Sequence, residues 1–386
     1  MVNFKFTEEQ EAFRQEIINF IKVELSGKTN TATVRSSFVP KLVEKGWLGL
    51  TIPEEYGGLG RDAVYLTIFN EEMAYHQAPI SLSLYGRSNS VFGKICLQHG
   101  SQEQRQKWLP RLAQGEAFGQ CFTEPEAGTD MTRIQTRAVL QGDHYIVNGQ
   151  KMFITTTHIL RYTLLMARTN INAPAESGLS MFIMDNKSTG ITFTPLMGMG
   201  GYRTNQLFLD NVEVPSENLI GEENRGYEYY LENKPFYLNK EKGAEVGALR
   251  RSFEQLVKYA KETTRDGHLL ANNPIVRQRL AEMATNIRTM RHLTYRMAFM
   301  EAQGLDLFYI ASIARVFIVE TWLKFNSTAL QLLGLNGQLQ RGAHYAPLGG
   351  SINWHYEYDA LQYFTRGSPS YTKSYIAMHD LGLPEN

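Results

Sequence analysis

Two short stretches hold the residue types that redox chemistry needs. The first is Thr123-Glu124-Pro125-Glu126-Ala127-Gly128-Thr129-Asp130, and the second is Gly149-Gln150-Lys151-Met152-Phe153-Ile154-Thr155. Together they offer short hydroxyls, bare backbone N–H groups and an aromatic ring. A planar, polar, redox-active ring system needs such a lining, with donors at its edge and an apolar ring against its face. His158 follows closely, as an acid–base candidate or as an ordinary structural histidine. Near the C-terminus, Ser368-Pro369 pairs an N-cap hydroxyl with proline at the first helical position. A helix starting there presents free N–H groups suited to a phosphate. No G-x-G-x-x-G follows a strand, and neither a P-loop nor His-Glu-x-x-His occurs. Nicotinamide, nucleotide and zinc-protease chemistries are therefore disfavoured.

The elements that position these residues fall into three blocks. Thr7-Glu8-Glu9-Gln10 reads as a capping box, and Phe13, Ile17, Phe20, Ile21 and Leu25 continue at helical period, with Gly27 as the stop. Helical patterns follow over 38–50, 65–76, 88–98 and 102–114, so residues 1–118 read as an α-helical domain. Residues 119–225 change character. Arg137–Leu140 and His144–Val147 alternate around Gln141-Gly142-Asp143, a hairpin signal, and further short β-type runs lie at 162–167, 179–184, 191–193 and 206–214. Short strands at this spacing indicate a small sandwich or barrel. From 226 to 386 the pattern is helical again: one helix over 241–264, one from Asn273-Pro274 to about Gly304, one over 307–333, a Gly-rich irregular stretch over 334–351, and a last helix from Ser368-Pro369.

The 386 residues are 43% hydrophobic, enough for a sizeable core, and Lys+Arg equals Asp+Glu. No global field recruits nucleic acid or an acidic membrane. Cys96 and Cys121 offer neither a disulfide framework nor a metal cluster, the N-terminus has no signal pattern, and no apolar run reaches spanning length. The expectation is a cytoplasmic protein with no nucleic-acid or membrane partner.

The two chemistry-bearing stretches, in this order, resemble the flavin-binding segments of the acyl-CoA dehydrogenase family. That family shows Thr-Glu-Pro-x-Ala-Gly-Ser-Asp and then Gly-x-Lys-x-Trp-Ile-Thr. Further family segments stand at Pro53–Gly60, Gly100–Pro110 and Val212–Gly221, so the resemblance covers nearly the whole chain. It implies an α+β multidomain fold: an N-terminal helical domain, a middle β-sandwich or barrel domain and a C-terminal four-helix bundle. It also implies FAD. On this resemblance Phe122 and Thr123 lie against the isoalloxazine ring, Thr129 near the pyrophosphate or the substrate mouth, and Phe153 where the family often has tryptophan. Thr155 donates to flavin N5. Gln331, Gly334 and Ser368 stand where the family contacts the flavin phosphates.

The chain departs from the family at three points. Gln331-Leu332-Leu333-Gly334-Leu335-Asn336-Gly337 has leucine in place of one glycine of the family's Gln-x-x-Gly-Gly-x-Gly. Thr263 stands where the family has an arginine that reaches a neighbouring subunit's FAD; Arg265, two residues on, would point roughly 200° away on a continuing helix. Arg366 replaces the family's catalytic glutamate, and a guanidinium cannot accept the proton. Arg366 remains a candidate for binding an anionic group, or an ordinary surface-loop arginine. Some members carry the base on a bundle helix, where this chain has Tyr237-Leu238. Glu241 and Glu245, four apart, become the candidates for a relocated base; the plainer alternative is that they are solvated partners of Lys240, Lys242 or Arg250.

The resulting expectation is an FAD-dependent oxidoreductase acting on the CH–CH group of an acyl thioester, tethered to CoA or an acyl carrier protein and drawn from specialised metabolism. Its electron acceptor would be a flavoprotein or oxygen, and its assembly a homo-oligomer, a tetramer or dimer. Two alternatives keep the fold: a flavin-dependent monooxygenase, and a degenerate subunit of a heteromeric dehydrogenase.

Overall fold

A computed structural model describes residues 5–26, 32–239, 241–365 and 368–384, and the side chains of these except 32–35 and 362. In chain order the helices are α1 (Glu8–Leu25), α2 (Ala32–Glu44), α3 (Ala63–Tyr75), α4 (Leu82–Arg87), α5 (Lys94–His99) and α6 (Gln102–Ala113). The strands β1 (Phe118–Cys121), β2 (Arg137–Gln141), β3 (His144–Lys151), β4 (Tyr162–Arg168), β5 (Leu179–Asp185), β6 (Ile191–Met197), β7 (Arg203–Pro215) and β8 (Leu219–Ile220) follow. Then come α7 (Gly226–Leu238), α8 (Ala244–Glu262), a two-stranded ribbon of β9 (Thr264–Arg265) and β10 (His268–Leu269), α9 (Pro274–Ala302), α10 (Phe308–Leu333), α11 (Ser351–Gln362) and α12 (Pro369–Tyr375). The chain divides into two compact units. One comprises Met1–Phe38, Asp62–Leu82 and Glu241–Asn386; the other comprises Val39–Arg61 and Ser83–Lys240.

The first unit is helical and is built on α3. Nearly every residue of α3 is buried, polar Thr67 and Asn70 included. Asp62 starts it, its carboxylate accepting from the Val64 and Tyr65 amides at 2.8 and 3.3 Å. Two carboxylates are carried into this core. Glu71 accepts from Arg250 Nη1 at 2.6 Å, Arg291 Nε at 3.0 Å and the Tyr295 hydroxyl at 2.7 Å. Glu72 accepts from Arg14 Nε at 2.8 Å. These pairs tie α3 to α1, α8 and α9. Burial works against the Glu72 carboxylate, but His76 and Arg14 outweigh it and hold its pKa below the ordinary value.

The helix expected over 241–264 begins three residues later. Gly243 takes a left-handed conformation, φ +84°, and Glu241–Gly243 form a turn before α8. A side chain at Gly243 would put its Cβ 2.4 Å from the Thr67 carbonyl, so the glycine also lets α8 lie against α3. Glu241 and Glu245 therefore do not share one helix face. The expected swing of Arg265 fails for a related reason. The helix ends at Glu262, and Arg265 sits in the β9–β10 ribbon, where its Nη2 donates to the Leu332 carbonyl at 2.9 Å. Helix α11 lies in a stretch the sequence pattern left unassigned. Arg366 and the proposed stop at Gly27 lie outside the described residues.

The second unit is organised by an eight-stranded sheet of order β6-β7-β3-β2-β4-β5-β8, with β1 added parallel to β4. Strand alternation sends residues to opposite faces. Leu164, Met166, Met181 and Ile183 join Trp108, Leu109, Leu112 and Phe118 in one core. Leu165, Ala167, Phe182 and Met184 join Tyr145, Val147, Leu207 and Val212 in another. Between α4 and α5, Ser88–Gly93 form a π-helical turn.

Glu71 is 1% exposed, and its removal leaves two arginines and a tyrosine hydroxyl without their acceptor. Glu71→Ala is expected to cost the folded chain about 3–5 kcal/mol, read as a fall in the urea midpoint of unfolding.

Candidate functional site

The second unit brings the two sequence stretches side by side. The chain leaves β1 at Phe122 and reverses in a tight turn, with Glu124 and Ala127 exchanging backbone hydrogen bonds of 3.0 and 3.2 Å. At the end of β3, the Met152 amide donates to the Thr123 carbonyl at 2.8 Å. Beneath this junction Lys151 is fully buried. Its ammonium donates to Glu124 Oε1 at 2.8 Å, the Phe122 carbonyl at 3.0 Å and the Met166 carbonyl at 2.6 Å. Three acceptors around one nitrogen select the –NH₃⁺ state. Glu124 also accepts from the Gln135 and Thr136 amides at 2.7 and 3.0 Å. Burial pushes the Glu124 carboxyl up, but Lys151 and these donors outweigh it, and its pKa lies below the ordinary value. Burial pulls Lys151 down, and Glu124 restores only part of that shift. Gly149 permits the approach, because a Cβ there would stand 2.5 Å from Thr136 Oγ1.

Past Lys151 the backbone enters the left-handed region twice, at Phe153 (φ +59°) and Thr156 (φ +62°). Ile154 between them is buried and pairs with Asn205, each amide donating to the other's carbonyl at 2.8 and 3.0 Å. This anchors the loop while leaving the Phe153 ring 58% exposed. The Thr155 hydroxyl meets the Tyr202 hydroxyl at 2.8 Å. Phe122 is buried, Thr123 and Thr155 are half-buried, and Thr129 is exposed beside Gly128. His158 is engaged structurally: Asn205 Nδ2 lies 3.0 Å from its Nδ1. Burial, then Arg203, lowers its pKa, which favours the neutral ring. Sequence reasoning assigned no role to Tyr202 or to Arg87, whose Nη1 donates to the Thr155 carbonyl at 3.0 Å; neither belongs to a recognisable motif.

In the first unit Glu241 and Glu245 line one cavity of about 220 Å³, with Arg315, Trp322, Trp354 and Tyr358 among the other walls. Arg315 is buried, and its Nη2 donates to the Thr365 carbonyl at 3.1 Å. Asp359, also lining the cavity, accepts from Asn326 Nδ2 at 2.8 Å. Elsewhere in this unit Gln331 accepts from Arg279, and Gly334 turns at φ +68° beside the Arg265 guanidinium. Ser368 caps α12 by accepting from the Tyr371 amide at 3.3 Å. A larger cleft of about 780 Å³ in the second unit holds none of the expected site residues, and its Lys107 and Arg225 are paired with Glu217 and Glu222.

Among the described residues no group of His, Cys, Asp and Glu is arranged to hold a metal ion, and no helix is long and apolar enough to cross a membrane. Burial pushes the Cys96 and Cys121 thiols up to about 12.

Comparison with known proteins decides the family. The acyl-CoA dehydrogenase N-terminal, middle and C-terminal domain models match residues 7–116, 119–212 and 242–352. The chain belongs to the acyl-CoA dehydrogenase family. It is 31% identical to the 3-(aryl)acrylate reductase of Clostridium sporogenes, over 87% of this chain and 90% of that one. It is also 31% identical to the cyclohexane-1-carbonyl-CoA dehydrogenase of Geobacter metallireducens, over 86% and 87%. Among solved structures, the ChsE4–ChsE5 complex from Mycobacterium tuberculosis matches with a TM-score of 0.87 and 27% identity, covering all of both chains. Members of the family are FAD-dependent oxidoreductases acting on the CH–CH group of acyl-CoA. The junction fits such a cofactor: an exposed aromatic ring flanked by half-buried hydroxyls, on a backbone pinned from below, offers a planar polar ring both a face and edge donors.

Glu124→Gln is expected to leave Lys151 buried without its counter-charge and to cost about 3–5 kcal/mol at neutral pH. Because the folded pKa of Glu124 is depressed, its stabilisation is fully present above the ordinary carboxylate value and is lost as pH falls through the folded one. Urea midpoints compared at neutral and acid pH should show the variant's deficit shrinking in acid.

Proposed function

We propose that this chain oxidises an acyl thioester to the α,β-unsaturated thioester, with FAD held on the second unit by Phe122, Thr123, Thr129, Phe153 and Thr155. The observation that carries this reading is the Met152–Thr123 bond above the Lys151–Glu124 pair. It brings the two motifs together, holding the Thr123 backbone against Met152, next to Phe153. When bound, FAD supplies the acceptor for the hydride that leaves the substrate β-carbon.

The chain's own residues supply the rest. The Phe153 ring covers a ring face, and the Thr155 hydroxyl, oriented by Tyr202, donates at the N5 edge. Gln331, Gly334 and Ser368 serve the phosphate end of the cofactor, with Gln331 set by Arg279. The α-proton needs a base. Arg366 cannot be that base and instead binds an anionic group of the substrate. The proton goes to Glu241, which lines a cavity with Glu245 and Arg315; Glu245 is the alternative acceptor on the same cavity. CoA or an acyl carrier protein provides the thioester handle, a flavoprotein or oxygen takes the electrons, and the active form is a homo-oligomer.

The test begins with the absorbance spectrum of the purified protein. Flavin bands near one FAD per chain, bleached by an acyl thioester without oxygen, are the expected result; colourless protein that refuses added FAD would sink the reading. A requirement for reductase and oxygen would mark a monooxygenase. Glu241→Gln should slow anaerobic flavin reduction by about 10²–10⁴-fold while leaving the oxidised spectrum unchanged. An unaltered rate would remove Glu241 as the base.

A further inference from the structure

We infer that Arg87 is a fixed positive charge that raises the reduction potential of bound FAD; the inference rests on the flavin reading above. Arg87 ends α4 where the chain enters the π-helical turn, and it is 6% exposed. Its Nη1 donates to the Thr155 carbonyl at 3.0 Å and to Thr156 Oγ1 at 3.3 Å, so the guanidinium lies directly behind the peptide of the residue assigned to flavin N5. Its Nε is buried and has no hydrogen-bond partner. No carboxylate of the described residues forms an ion pair with it, whereas the buried Lys151 and Lys242 each hold a glutamate, at 2.8 and 2.6 Å.

A buried charge without a counter-charge is costly. Fixing the Thr155–Thr156 loop does not require one, because a neutral donor could bond the Thr155 carbonyl equally well. The charge becomes favourable when a negative charge develops nearby. That event is part of the proposed reaction. The hydride leaves the β-carbon with two electrons and bonds N5, the α-proton goes to the protein base, and the ring system therefore gains one negative charge. Arg87 stabilises that charge from behind Thr155, and its two hydrogen bonds hold the left-handed turn at Thr156 that fixes the distance. It is a tuning residue: it reaches the cofactor through the Thr155 peptide and touches neither substrate nor reacting atoms.

The experiment is spectroelectrochemical titration of the FAD-loaded wild type, Arg87→Gln and Arg87→Lys. Removing the charge in Arg87→Gln should weaken the preference for reduced over oxidised FAD about tenfold, which lowers the midpoint by about 30 mV for the two-electron couple. Arg87→Lys should match the wild type in acid and fall below it as pH rises, since a buried lysine without a carboxylate loses its proton while arginine does not. A clamp acting by geometry alone would leave the Arg87→Gln midpoint at the wild-type value, and that result overturns the inference. Should Arg87→Gln fail to hold FAD, Arg87→Met removes the charge in its place, and a midpoint at the wild-type value in that variant overturns the inference equally. A wild type that takes up no FAD removes the flavin reading itself, so the two failures are distinguishable.

Discussion

The buried Lys151–Glu124 ion pair is the constraint on which the site depends. The ammonium is fully buried and the carboxylate 4% exposed, and together they touch the end of β3, the turn after β1, the carbonyl of Met166 on β4 and the amides of Gln135 and Thr136. A hydrophobic pair of the same volume would often be as stable or more so. What it would lack is direction. An ammonium with three acceptors and a carboxylate with three donors each have one satisfactory placement, and that placement sets Thr123 against Met152. The Phe153–Thr156 loop can then take its left-handed turns without drifting, because its neighbour Lys151 is fixed from below and Ile154 is fixed by Asn205.

Most of the architecture was legible because it rests on local signals. The capping box at Thr7, the N-cap at Asn273 before Pro274 and the hairpin around Gly142 are chemistry within a few residues, and each forms as the sequence indicates. The family pattern supplied the rest of the α+β organisation. What was not legible depends on distant partners. Extending a helix over 241–264 was reasonable from periodicity alone, but Gly243 answers to the Thr67 carbonyl, far away in sequence. The misjudged direction of Arg265 came from assuming the same helix ran on past Glu262, where the chain turns into a ribbon. Strand β1 is short and finds its place only by parallel pairing with β4, which no local alternation announces.

The candidate site divides in the same way. Phe122, Thr123, Phe153 and Thr155 were visible because motif and spacing are sequence properties. Glu124 and Lys151 were visible as motif letters, yet their role as a buried pair needed coordinates. Arg87 and Tyr202 had no signal at all. Each touches Thr155, and a contact between residues 68 or 47 positions apart leaves no trace in one sequence.

A relocated base must satisfy more than chemical identity, since a carboxylate on a loose turn would spend little time aimed at the α-proton. The turn at Glu241 is not loose. Its carbonyl accepts from the Ala244 amide at 2.8 Å, the next residue, Lys242, is 3% exposed and bonded to Glu301 at 2.6 Å, and Gly243 packs its backbone against Thr67. Glu241 is thus presented at the cavity by three successive anchors without belonging to a helix. The same anchors explain why α8 starts where it does. Continuing the helix back through Glu241 would require Gly243 to give up its left-handed turn, and with it the placement of both Lys242 and the carboxylate. The local break that defeated the helical reading of this segment is what gives Glu241 a defined position.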